Sequence, residues 1–137
     1  MTVRVAQFED IDRVCELAEK FHQYSSHRDM PFEPEGFRAS AMAMIMDGAV
    51  FLSAEGFAGV TAIRLYFCPS HLCAVELFWY CPREGRALRE AMEAWGRLRG
   101  CAWIQFSSLA DEHEKALERI YRKSGARRVE TNWLKRL

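Results

Sequence analysis

The sequence predicts one α/β or α+β layer domain built around a mixed sheet. Three observations carry that expectation. Short apolar or alternating runs, bounded by turn residues, recur between stretches whose apolar residues stand three and four apart. Half of the 137 residues are apolar and 12% are aromatic, enough to fill a sizeable core. No internal repeat, low-complexity segment or linker interrupts the order, so residues 1–137 read as a single domain.

Each element follows from its own residues. Val3 to Gln7 alternates apolar and polar and reads as a first strand. Asp10 stands where it can cap a helix that carries Ile11, Val14, Cys15, Ala18 and Phe21 at helical spacing as far as about Tyr24. "SSHRDMPFEPEG" is polar and proline-bearing, hence a loop. Pro34 suits the first position of a second helix, with Phe37, Ala41, Met44 and Ile45 inside it and Gly48 at its end. Ala49 to Glu55 and Phe57 to Phe67 read as two strands of a hairpin turning at Gly56, with "CPSHL" as the next turn. Ala74 to Cys81 is almost wholly apolar, as expected of a central strand covered on both faces. Leu88, Ala91, Met92, Trp95 and Leu98 make a third helical stripe, stopped by Gly100. Cys101 to Phe106 is another buried strand. Asp111 and Glu114 resemble a capping box before a last helix with Leu117, Ile120, Tyr121 and Ser124 on one face and a stop at Gly125. "RRVETNWLKRL" reads as a closing strand.

Composition limits function. Lys and Arg total 19, as do Asp and Glu, so the formal net charge is zero, which argues against a general nucleic-acid binder. No apolar run reaches bilayer length, and "MTVRVAQFED" lacks the apolar core of a secretory leader. The expectation is a cytoplasmic protein with neither a nucleic-acid nor a membrane partner. Five cysteines, without CxxC spacing, read as reduced thiols. Cys68, His71 and Cys73 carry zinc-compatible atoms, but their spacing fits no common zinc pattern, so no metal is expected.

The stretch "ELFWYCPREGRALREAMEAW", Glu76 to Trp95, runs from strand to helix through "CPREGR". The first N–H groups of a helix have no partner within it and, with the helix dipole, attract anions. Gly85 allows close approach, and Arg83 and Arg86 add charge that suits a diphosphate. The plainer reading is a strand-to-helix turn with solvated arginines. Glu76, on strand alternation, shares a face with Phe78 and Tyr80. A carboxylate in apolar surroundings is costly to ionise and can act as a general base near neutral pH. The alternative is a strand-end Glu that reaches solvent or pairs with an arginine such as Arg64. Tyr121 on the apolar face of the last helix is either a core residue or a phenol able to donate a proton.

Taken together, the order of elements resembles the GCN5-related N-acetyltransferase (GNAT) superfamily over essentially the whole chain. "ELFWYCP" looks like that family's fourth strand and "GRALREAMEAWGRLRG" like the helix after it. "CAWIQF" resembles the fifth strand, and "ALERIYRKSGARRVETNWLKRL" the family's "YxKxGF" helix and closing strand. The pattern is similar to the short GNATs met in phage and prophage genomes. The resemblance implies a mixed, mostly antiparallel sheet flanked by about four helices, an acetyl-CoA donor, no metal, and direct acetyl transfer to an amine of a small molecule or protein. It implies that Phe78, Trp79 and Tyr80 form the strand edge that pairs with the pantetheine arm. It implies that Arg83, Glu84, Gly85, Arg86, Ala87 and Leu88 take the diphosphate. Glu76 becomes the candidate base and Tyr121 the candidate proton donor to the departing thiolate.

Three departures stand out. The family's phosphate loop usually reads Q/R-x-x-G-x-G/A, whereas the connection here is several residues shorter and "REGRA" has one glycine. An Asn often found at the start of the last helix is absent from "SSLADEHE", and Gly125-Ala126 replaces "GF". The alternative is therefore a catalytically inactive GNAT-like binding or structural module, phage-derived in that reading. The acceptor side would be lined by about Phe21 to Gly48, and a homodimer is allowed for, with Trp133 in either core or interface.

Overall fold

The computed structural model describes residues 2–83 and 85–137, which fall into two compact units, Met1–Ser107 and Ser108–Leu137.

The first unit holds the sheet. Its strands are β1 (Arg4–Val5), β2 (Ala49–Leu52), β3 (Phe57–Leu65), β4 (Cys68–Tyr80) and β5 (Trp103–Gln105), and its helices are α1 (Ile11–Tyr24), α2 (Pro34–Asp47) and α3 (Arg86–Leu98). The strands lie in sequence order, antiparallel throughout except for the parallel pair of β4 and β5. A parallel pair needs a crossover, and α3 supplies it. The fold class is thus the α+β layer arrangement that the residue patterns predict.

Two apolar layers cover the sheet. Val50, Leu52, Phe57 and Phe78 pack with Val14, Leu17 and Ala18 of α1 and Ala41 of α2. Ala49, Phe51, Ala58, Val60 and Ala74 pack with Leu88 and Met92 of α3. Coverage on both faces explains why β2 is buried at every position and carries no polar alternation.

Several local expectations are corrected. Asp10 does not cap α1 through its side chain. Its carboxylate instead pairs with Arg4 and accepts the Gln7 N–H at 2.8 Å, closing a 3-10 turn over Phe8–Asp10. "CPSHL" is not a turn but the start of β4, because Cys68 pairs with Leu65 and the chain reverses at Tyr66 and Phe67.

The second unit contains α4 (Glu114–Lys123), with Gly125 beyond it at φ +91°. The expected capping box is not made: Asp111 accepts the His113 N–H at 2.8 Å, and α4 has no side-chain cap. Residues 127–137 form no strand. They are exposed, with Trp133 at 91%, so they gain no ladder and no cover to hold them extended.

Candidate functional site

β4 and β5 stop pairing long before β4 ends. Their ladder covers Cys73↔Trp103, Ala74↔Ile104 and Val75↔Gln105, while β4 continues to Tyr80 against β3. The divergence begins at Glu76.

A β-bulge sits at the same point. Gly59 lies opposite Phe78 and Val60 opposite Glu76, which leaves Leu77 as the extra residue. An extra residue breaks the side-chain alternation. Glu76 therefore shares a face with Val60, in the α3 layer, whereas Phe78 and Tyr80 lie in the α1–α2 layer. This corrects the expectation that Glu76, Phe78 and Tyr80 share one face. The β-period is two, and the insertion shifts everything after it.

Glu76 is buried, with 9% of the residue exposed. Its Oε2 accepts the backbone N–H of Ser107 at 2.9 Å, across the divergence. Burial pushes its carboxyl above the ordinary carboxylate range, and hydrogen bonds from the Ser107 backbone and hydroxyl pull the other way. Arg64 is not its partner: that guanidinium donates to the Pro69 carbonyl at 2.9 Å.

The proposed cofactor residues fall into three groups. Phe78 is buried, stacked on Phe57 with ring centroids 4.5 Å apart, so its side chain belongs to the core and only its backbone lies at the strand edge. Leu88 is fully buried and likewise offers only backbone. Tyr80 is half-buried beside Phe21, and Trp79 is half-buried against Gly85. Gly85 is the N-cap of α3 and supplies no capping side chain, and the first turn contains no acidic residue. Arg83 and Arg86 are both exposed, in ion pairs with Glu55 at 3.3 Å and Glu90 at 2.7 Å. Ala87 is half-buried in the same turn. Glu84 lies outside the described residues.

Sequence reasoning missed two groups. Ser107 lies just past the end of β5 and meets Glu76 across the divergence, and its one signal is the polar "SS" that ends the apolar run "CAWIQF". Arg89 is buried in α3, where its guanidinium pairs with Glu93 and, among the described residues, its Nε finds no acceptor. Its position between Leu88 and Met92 in the apolar stripe was the available sign. In the second unit, Tyr121 is half-buried on α4.

Among the described residues, no three His, Cys, Asp or Glu side chains gather as metal ligands, and no helix is long and apolar enough to cross a membrane.

No protein-family model matches the sequence, and no curated protein matches it. Solved structures do match in fold. One, described as a probable acetyltransferase, aligns with a TM-score of 0.77 at 16% identity over 100% of this chain and 98% of its own. A transcriptional regulator from Bacillus halodurans aligns with a TM-score of 0.74 at 15% identity over 99% of both chains. The aminoglycoside acetyltransferase AAC(6')-Iy, in complex with a CoA bisubstrate analogue, aligns with a TM-score of 0.73 at 14% identity over 99% of this chain and 97% of its own. The fold is GNAT-like: among the described residues it has four α-helices and a five-stranded, mostly antiparallel sheet. At these identities the likeness is one of fold.

Proposed function

We propose that the chain, residues 1–137 taken as one acyltransferase domain, transfers an acetyl group from acetyl-CoA directly to an amine. The observation that carries this reading is the divergence of β4 from β5 at Val75, with a buried carboxylate at its apex. A strand that runs on past its neighbour's last ladder pair provides a slot lined by backbone polar groups, which fits an amide-bearing arm such as pantetheine.

An amine is mostly protonated near neutral pH and must lose a proton before it attacks. In this reading Glu76, directly or through a water, removes that proton. The nitrogen then adds to the thioester carbon, the C–S bond breaks, and the thiolate takes up a proton. The family pattern assigns that last proton to Tyr121. Arg83, Arg86 and the backbone from Gly85 to Leu88 would take the diphosphate, with Phe78, Trp79 and Tyr80 along the arm. Fit at the diphosphate end is supported by the absence of acidic residues in the first turn of α3 and by the helix dipole. A cytoplasmic location, an amine acceptor in a small molecule or protein, and no nucleic-acid or membrane partner belong to the same proposal.

A second reading has its own support. The Trp79 ring covers Gly85, and both arginines are already paired with carboxylates, so an inactive binding or structural module of GNAT fold, of phage origin, also accounts for the short connection. Acetyl-CoA titration followed by an amine screen separates the two: the enzyme binds and turns over, and the module does neither.

A further inference from the structure

We propose that Ser107 is a positioning residue whose backbone N–H and hydroxyl orient the Glu76 carboxylate and keep it available as an anion. Its use in acetyl transfer rests on the reading above; the assignment itself does not.

The geometry is specific. Val75↔Gln105 is the last ladder pair, so the next donor past β5 would lose its strand partner as the two strands separate. Ser107 N–H instead donates to Glu76 Oε2 at 2.9 Å. A side chain thereby takes over where the ladder stops and ties together the two sides of the divergence. The carboxylate is buried, so its orientation is set by these donors and not by solvent. A carboxylate that accepts more than one donor is stabilised as the anion, which offsets part of its burial. Both Ser107 groups act on Glu76 in that direction.

The surrounding charges leave Ser107 as the tuning group. On β3, Val60 stands opposite Glu76, and the sole cation, Arg64, is engaged by Pro69. Along β4 the other titratable groups are Cys68, His71, Cys73 and Tyr80, and β5 carries none. On α3, Leu88 and Met92 face this layer, Arg89 pairs with Glu93, and Arg86 with Glu90. None of these contributes a charge effect to Glu76, on which burial and Ser107 act.

The test is a carbon-13 titration of the Glu76 carboxyl in the full chain, assigned by its absence from Glu76→Gln. Ser107→Ala keeps the N–H and removes the hydroxyl. The expected result is a midpoint roughly one pH unit higher than wild type, restored by Ser107→Thr. If an accepted amine is found, the acid limb of the rate profile should move by the same amount, whereas a purely structural loss would lower the whole profile without moving it. An unmoved carboxyl midpoint in a folded Ser107→Ala protein would overturn the assignment. A moved midpoint in a protein that acetylates no amine would uphold the assignment and count against the catalytic reading alone.

Discussion

The indole of Trp79 lies directly across the backbone of Gly85. A Cβ at position 85 would stand 2.5 Å from Trp79 Nε1 and 2.9 Å from two ring carbons. Glycine is therefore required at the start of α3 by a ring of the protein itself, whatever ligand also approaches there. Gly85→Ala should lower stability by about 1–3 kcal/mol, the usual range for forcing a methyl group into a filled space. Denaturant unfolding measures this directly. The loss should shrink when Trp79 is also replaced by Leu, and a wild-type midpoint for Gly85→Ala would contradict the packing described.

Glu76→Gln keeps the shape of the side chain and removes its basicity. Turnover should fall about 10²–10⁴-fold, the usual worth of a positioned base, while acetyl-CoA affinity stays within experimental error. Steady-state kinetics paired with a binding titration decide the matter, and unchanged turnover would remove Glu76 from the chemistry.

Burial of Glu76 also predicts how stability varies with pH. Its folded carboxyl holds a proton above the ordinary range, so the folded state binds that proton more tightly than the unfolded chain. The resulting stability is fully present below the ordinary carboxylate value and is lost as pH rises through the raised folded value. Wild type minus Glu76→Gln stability should therefore decline with rising pH across that window. Asp10 runs the other way. Its pairing with Arg4 holds its carboxyl at about 2, so its contribution exists above the ordinary value and disappears as pH falls through about 2. Unfolding curves of wild type, Glu76→Gln and Asp10→Asn at stepped pH check both signs; a pH-independent difference for Glu76→Gln would refute the first.

Tyr121→Phe separates the two readings of the last helix. As proton donor, Tyr121 should be needed for turnover and not for folding, so the variant should slow acetylation at an unchanged melting temperature. Equal losses of activity and thermal stability would assign the phenol to packing.

Much of the layer order was legible because it depends on local periodicity. The stripe of Leu88, Met92 and Trp95 defines α3, and the almost wholly apolar run from Ala74 to Cys81 signals cover on both faces. Glu76 was legible as a charge inside that run, and its burial follows. Its facing was not, because one bulge residue, Leu77, reverses the alternation and nothing local announces the insertion. Ser107 was hidden for a different reason, since its contact spans 31 positions and depends on where two strands part. The expected closing strand around Trp133 is not formed, because a strand needs a ladder partner and cover, and these residues are exposed and have neither.

Acetyl-CoA binding is tested most directly by calorimetric titration of the purified chain, alongside the double variant Arg83→Ala/Arg86→Ala. Wild type should bind with micromolar affinity, and binding should weaken clearly when both arginines are removed. A folded wild-type protein that shows no heat of binding, or a double variant that binds as tightly as wild type, would contradict the proposed acetyl-CoA site.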